Sequence, residues 1–528
     1  MRTSCLVWAM QAIWLMERNY RKRLLFSILL LCMMLTVGAQ KLTVEYNGET
    51  AKVSGKKTDA VAWTIDGAHV SVMNHDKSTP LQLLLKGTTA NGSLTVASSG
   101  GAVLTLDNVS ITNRDGAPLH IKKKFGAQVI AKNGTHNQLI IEACIDTAHK
   151  KSAALYCKGD LTLSGKGALD ILARGDGCKG INAKANLTIS DLTLNVQTTG
   201  DNLGPDTTNV FPFGGGGGAP MGPPPGFGGD APDMGMGRPP FHFNPDSLPE
   251  EVKQQFEEMR KHFEEMGKQF EAMRNDSTQS PFGGGGGMPM GKQKYLSTPK
   301  GIKAAGLITI QSGKVNVSTA HAGGEGIEGK GGVVINGGTV AVDAIDDGIN
   351  ANAQIVFNGG TTTVISRSND AVDANFNGEG AITIAGGTTY AFSQIGPPEE
   401  GFDCDFSSIL VTGGTAFSIG AGMGDIPSMP TEETAKQPVA LLVGLNVTEG
   451  EAVEVCDEQG HQFFSFKAPF NFQRSSSIIT CPQFQVGKTY IVKSGRAEHQ
   501  LQLNSQLTAP ERSMPQFPFS FPQRQGKE

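Results

Sequence analysis

An all-β solenoid is the fold this sequence predicts, and three observations predict it. From residue 301 to about 424 one short unit recurs five times: TPKGIKAAGLITIQSGKVNV, GEGIEGKGGVVINGGTVAV, DDGINANAQIVFNGGTTTV, NDAVDANFNGEGAITIAGGTTYAF and EEGFDCDFSSILVTGGTAFSI. With Gly301, Gly326, Gly348, Ala371 and Gly401 as origins the steps are 25, 22, 23 and 30 residues, a period of stacked coils and not of a globular α/β domain. Each unit carries strand-like apolar alternation and a Gly-rich turn. The 528 residues include 68 Gly and only 7% aromatics, which suits a narrow core of stacked Val, Ile and Leu.

In chain order, residues 1–39 read as an export leader, with Met16 as an alternative start. Arg18, Arg21, Lys22 and Arg23 precede the apolar run Leu24 to Leu35 and the small residues before Gln40, and the run is short for a membrane span. No later segment reads as a span, so the expected location is secreted, at the cell surface or in a periplasm. Residues 40–100 read as short alternating strands forming first coils or a cap, because a solenoid must close its exposed end. Residues 101–202 continue the repeat, and Gly180-Ile181-Asn182-Ala183 aligns with Gly348-Ile349-Asn350-Ala351.

Residues 203–297 interrupt the repeat with the runs FPFGGGGGAPMGPPPGFGG and PFGGGGGMPMG, whose composition predicts flexible, disordered arms. Between them Ser247 and Glu250 form a capping box before an amphipathic helix over 248–274. Its seam of Phe256, Met259, Phe263, Met266, Phe270 and Met273 makes it a candidate partner helix; the alternatives are that it lies back on the solenoid wall or forms only in part. Residues 298–424 resume the solenoid, residues 425–505 read as a small all-β cap, and the Pro-rich tail 506–528 reads as disordered.

Six cysteines follow the leader, Cys144, Cys157, Cys178, Cys404, Cys456 and Cys481, with no C-x-x-C and no His/Cys cluster, so zinc and thiol-redox chemistry find no support. Cys456 and Cys481 are close enough in sequence to pair; single buried cysteines are the expectation for the rest. A net charge of −5 argues against general nucleic-acid binding.

The chemistry lies in the openings of the repeats. One position before each origin stand Lys300, Glu325, Asp347, Asp370 and Glu400; two positions after it stand Lys303, Glu328, Asn350, Asp373 and Asp403. The residue between (Ile302, Ile327, Ile349, Val372, Phe402) is always apolar, which predicts that it points inward and its neighbours outward. Coils stack at about 4.8 Å, where two like charges repel by on the order of 1 kcal/mol in water and by several at an effective dielectric near 20. Between 301 and 424 only Lys303, Lys314, Lys330 and Arg367 face twelve Asp and Glu. Ca²⁺ is therefore the expected counter-ion, with Asp346, Asn369 and Glu399 adding oxygens in the same turns. The competing reading is an acidic edge fanned into water and screened by salt.

These residues resemble a family of secreted, carbohydrate-binding parallel β-helix proteins, calcium-dependent binders of acidic polysaccharides such as polygalacturonate with some affinity for cellulose. The resemblance rests on GEGIEGKGGVVINGGTV, DDGINANAQIVFNGGTT, NDAVDANFNGEGAITIAGGTT and EEGFDCDF, with ALYCKGDLTLSGKGAL and KGIKAAGLITI upstream. It implies a right-handed, pectate-lyase-like parallel β-helix, with calcium sites at Glu325, Glu328, Asp347, Asn350, Asp370, Asp373, Glu400 and Asp403. The insert and Ala371, where the repeat has Gly, depart from it.

Binding without catalysis is the expected role. A lyase needs a base beside the metal to take a sugar C5 proton, and Lys303, Lys330 and Arg367 are local candidates that sit in no motif. A hydrolase needs one selected pair of carboxylates, whereas these form a lattice. A surface scaffold stiffened by calcium is the third class.

Overall fold

The computed structural model describes residues 41–143, 152–205, 295–376, 378–395, 398–404, 407–420 and 428–510. The leader, Cys144, the 248–274 helix with its Phe and Met seam, and the end of the tail lie outside the described residues. Among the described residues every regular element is a β-strand, and no helix is long and apolar enough to cross a membrane.

Three parallel ladders make the solenoid, because each repeat contributes three short strands whose alternate residues are apolar. One is an eleven-stranded sheet in which Ala68–Asn74, Gly92–Ser98, Leu119–Ile121, Ala153–Cys157, Lys179–Ala183, Lys300–Ala304, Glu325–Gly329, Ile349–Ala351, Val372–Ala374 and Phe402–Asp403 stack in parallel. The others contain columns such as Leu187, Ile308, Val333, Ile355 and Ile382, and Leu194, Val315 and Val340. All of these side chains are buried, so the core is one continuous stack along the helix axis. In the turns, Gly338, Gly360, Gly387 and Gly414 hold φ between 71° and 85°, the left-handed region that glycine occupies without strain.

Both ends are closed. At the N-terminus Thr50–Ser54 folds back antiparallel on Lys41–Asn47, and Val61–Asp66 folds back on Ala68–Asn74, so no parallel edge is left bare. At the other end the parallel stacking runs on to Pro430–Ala435, past the expected limit near 424. Strand Phe472–Thr480 then pairs antiparallel with both Thr415–Ile419 and Val439–Val447. A four-stranded sheet (Ala452–Asp457, Gln462–Lys467, Thr489–Ser494, Ala497–Gln502) completes this unit. Its Phe466 ring lies 4.7 Å from Phe417, 5.1 Å from Phe392 and 5.2 Å from Tyr390, an aromatic seam on the outer wall of the last coils.

Strands Leu203–Pro205 and Tyr295–Ser297 pair antiparallel, so the chain leaves for the insert and returns at neighbouring points. One cysteine expectation changes, that for Cys178, and the pairing left open for Cys456 and Cys481 is decided. Cys456 and Cys481 are buried thiols and do not pair with each other; Cys178 is disulfide-bonded, whereas Cys157 and Cys404 are buried and in no disulfide.

Candidate functional site

The site is the outward face of the eleven-stranded sheet. In each opening the apolar residue after the origin is fully buried, as Ile302, Ile327, Ile349, Val372 and Phe402 are, and alternation turns the next residue outward. The register pairs Lys303 with Glu328, Glu328 with Asn350, Asn350 with Asp373 and Asp373 with Asp403. The second file is also in step: Gly326 N donates to Asp347 O (2.9 Å), Gly348 N to Asp370 O (3.1 Å) and Ala371 N to Glu400 O (3.0 Å). All eleven candidate residues thus fall along one edge.

They do not fan into water. Glu328, Asp347, Asp370 and Glu400 are buried, and Glu325, Asp346, Asn350, Asn369, Asp373, Glu399 and Asp403 are partly buried. The edge also divides into two halves with different counter-charges.

On the first acidic rung, whose strand Glu325–Gly329 carries both Glu325 and Glu328, the counter-charge is lysine, which corrects the expectation that cations are too few there. Lys300 pairs with Glu325 and lies 3.4 Å from Glu328 Oε2; Lys303 pairs with Glu328, and Lys330 lies 3.6 Å from Glu328 Oε1. Burial pushes the Glu328 carboxyl up, but Lys300, Lys303 and Lys330 together hold it below the usual range. Burial raises Glu325 despite Lys300. Lys300 sits just before the repeat block, and with Lys303 and Lys330 it balances both glutamates of this rung.

Downstream, carboxylates meet carboxylates and amides. Asn350 Nδ2 donates to Asp347 Oδ2 (2.8 Å) and to Asp373 Oδ2 (2.8 Å), while Asn369 Nδ2 donates to Asp346 Oδ1 (3.0 Å) and Asp347 Oδ1 (2.6 Å). Ser428 donates through N to Glu400 Oε2 (2.6 Å) and through Oγ to Asp403 Oδ1 (3.3 Å). Burial first, then Asp373 and Asp346, push Asp347 up to about 8. Burial, with Asp403 and Asp347 adding, pushes Asp370 up to about 9 despite the N–H of Glu400. Among the described residues no three His, Cys, Asp or Glu side chains already converge as a preformed cation cage. The donor set is nevertheless all hard oxygen, and Asn350 and Asn369 bridge carboxylate pairs where a turned amide presents a further oxygen.

The same outward file continues upstream through residues that the repeat pattern did not single out. Lys303 registers with Asn182, Asn182 with Tyr156 and Tyr156 with His120. The His120 and Tyr156 rings meet edge-on at 5.2 Å, and Lys184 Nζ lies 5.9 Å from the Tyr156 ring centroid. Lys179, in register with Lys300, donates to Ser297 Oγ (2.7 Å) and Gly177 O (3.3 Å). The alignment of residues 180–183 with 348–351 was the available signal, since it puts Lys179 and Asn182 in the slots of Asp347 and Asn350.

A relative from Acetivibrio thermocellus, described as a carbohydrate-binding domain-containing protein, is 28% identical over 187 residues, covering 33% of this chain and 65% of the relative. The chain therefore spans less than two thirds of that relative's length. A solved structure described as the polysaccharide lyase-like protein from C. thermocellum, gadolinium derivative, aligns at 15% identity and a TM-score of 0.33 over 74% of this chain and 96% of its own. The family profile of the carbohydrate-binding domain-containing proteins matches residues 45–211 and 321–451, more than half of the sequence. The chain belongs to the carbohydrate-binding domain-containing protein family.

Proposed function

We propose that this protein is exported and binds an acidic, uronate-containing polysaccharide, or cellulose, through Ca²⁺ held on the downstream rungs by Asp346, Asp347, Asn350, Asn369, Asp370, Asp373, Glu399, Glu400 and Asp403. The observation that carries the reading is the burial of Asp347 and Asp370 on consecutive rungs, against other carboxylates and amide or backbone N–H groups. A buried stack of carboxylates is costly as bare charge, so its members either keep their protons or take up a cation that displaces them, and all-oxygen donors suit calcium. The bound ion would supply positive charge to a sugar carboxylate. The paired glutamates Glu325 and Glu328 then serve the lysine half of the face. Export is supported by the leader pattern and the bonded Cys178.

Calorimetry on metal-stripped protein tests the metal, and retention on polygalacturonate and on cellulose with added calcium or with chelator tests the binder. Calcium heat together with calcium-enhanced retention is the expected result. Equal retention in both conditions, with no heat, sinks the reading. Unsaturated product released from polygalacturonate would replace binding with lyase action.

A further inference from the structure

Five lysines, Lys179, Lys184, Lys300, Lys303 and Lys330, gather on the upstream half of the face, where among the described residues the paired carboxylates are Glu325 and Glu328. The geometry brings them together: Lys179 registers with Lys300 and Asn182 with Lys303, Lys184 Nζ lies 5.9 Å from the ring of Tyr156, which registers with Asn182, and Lys300, Lys303 and Lys330 share Glu328. Lys300 and Lys303 are committed to the glutamates and Lys179 to Ser297 and Gly177. Lys184 is exposed and pairs with no described carboxylate, and Lys330 is half exposed at 3.6 Å from Glu328. The cluster therefore carries surplus positive charge.

Between Tyr156 and Lys303 sits Asn182, which is 3% exposed and whose Oδ1 has no hydrogen-bond partner. Ile181 and Ala183 on either side point into the core, so the amide faces the same way as Tyr156 and Lys303. A buried unpaired acceptor costs about 1–3 kcal/mol, and a hydroxyl donor removes that cost. Surplus ammonium groups, an acceptor for a hydroxyl and an aromatic ring are together the chemistry of a sugar acid.

We propose that Asn182, Lys184 and Lys330, beside Tyr156 and Lys303, form a metal-independent subsite for one uronate residue: Lys184 and Lys330 hold its carboxylate and Asn182 accepts from a ring hydroxyl. The subsite rests on the reading that the ligand is an acidic glycan. It extends that reading because a chain lying along the face would meet calcium at one end and lysine at the other.

The test is calorimetric titration of the full chain with trigalacturonate in excess chelator, with cellotriose and a sulfated trisaccharide as comparison arms. Wild type binds trigalacturonate under these conditions, and Lys184→Glu, at an exposed position, weakens it about tenfold or more with unchanged melting temperature. Asn182→Ala weakens binding while leaving its salt dependence as in wild type, because no charge is lost. Failure of wild type to bind in chelator, unchanged affinity in Lys184→Glu, or equal binding of cellotriose overturns the subsite. Tighter binding of the sulfated sugar overturns the carboxylate assignment. If calcium adds nothing to a binding that Lys184→Glu abolishes, the metal reading fails and the lysine subsite stands.

Discussion

Lys300 illustrates how one side chain settles the charge of a rung. It is buried with Glu325 and Glu328, and burial lowers its affinity for a proton less than the two carboxylates raise it. Removing one partner of such a group strands buried charge, so Lys300→Ala should cost about 3–5 kcal/mol, read from denaturant midpoints. An effect below about 1 kcal/mol would mean that solvent already screens the rung. Lys179 behaves oppositely: burial, then Lys303 and Lys300, push it down to about 7 from 10.5. With the folded value depressed, the unfolded chain holds more protons between pH 7 and 10, so this group makes stability rise with pH across that window. Its slope is at most about 1.4 kcal/mol per pH unit, and Lys179→Met should flatten the wild-type rise between pH 7 and 9. Identical slopes in the two proteins would show that Lys179 keeps an ordinary affinity for its proton.

At the scale of the strand, the origin position explains why one repeat departs from the rest. A Cβ on Gly348 would lie 2.2 Å from Val364 Cγ1 and 2.6 Å from the Ala371 carbonyl oxygen, and Gly180, Gly301 and Gly326 meet Val196, Val317 and Val342 in the same way. Ala371 occupies this slot where the next residue of the valine column, in register with Val364, is Ala391. The ladder bond also lengthens there, from 2.9 Å for Ile349 N to Ala371 O to 3.2 Å for Val372 N to Gly401 O. Gly348→Ala should therefore cost about 1–3 kcal/mol by overpacking. Adding Val364→Ala should return part of it, with a coupling of at least about 0.5 kcal/mol in a double-mutant cycle. Strict additivity would assign the whole cost to the carbonyl. The repeat, the inward Ile/Val/Phe column and the alignment of the acids were all legible in the sequence, because a strand alternates with period two and stacked coils repeat their register. Burial of those acids was not legible, since alternation states only that a side chain leaves the core.

For the molecule as a whole, stability is passed from coil to coil and must be terminated at each end. Truncating the chain after residue 435 uncovers Thr415–Ile419 and the Phe392, Phe417 and Tyr390 wall, so the truncated chain should associate, seen as early elution on size exclusion; a monomeric product would show the last coil to be self-sufficient. Calcium binding to the downstream rungs should raise the melting temperature in proportion to RT ln(1 + [Ca²⁺]/Kd), and an unchanged melt would end that assignment.

By itself the sequence determined the solenoid, its in-register acidic openings and its β-rich closing unit, because period, alternation and turn glycines are local properties of the chain. Only the tertiary structure decided that Glu325 and Glu328 answer to Lys300, Lys303 and Lys330, and that the face runs on through Asn182, Tyr156 and His120. Lys179 and Lys300 lie 121 positions apart with the insert between them, and backbone pairing sets them side by side. Charge balance depends on distance in space, which stacking supplies and linear order does not.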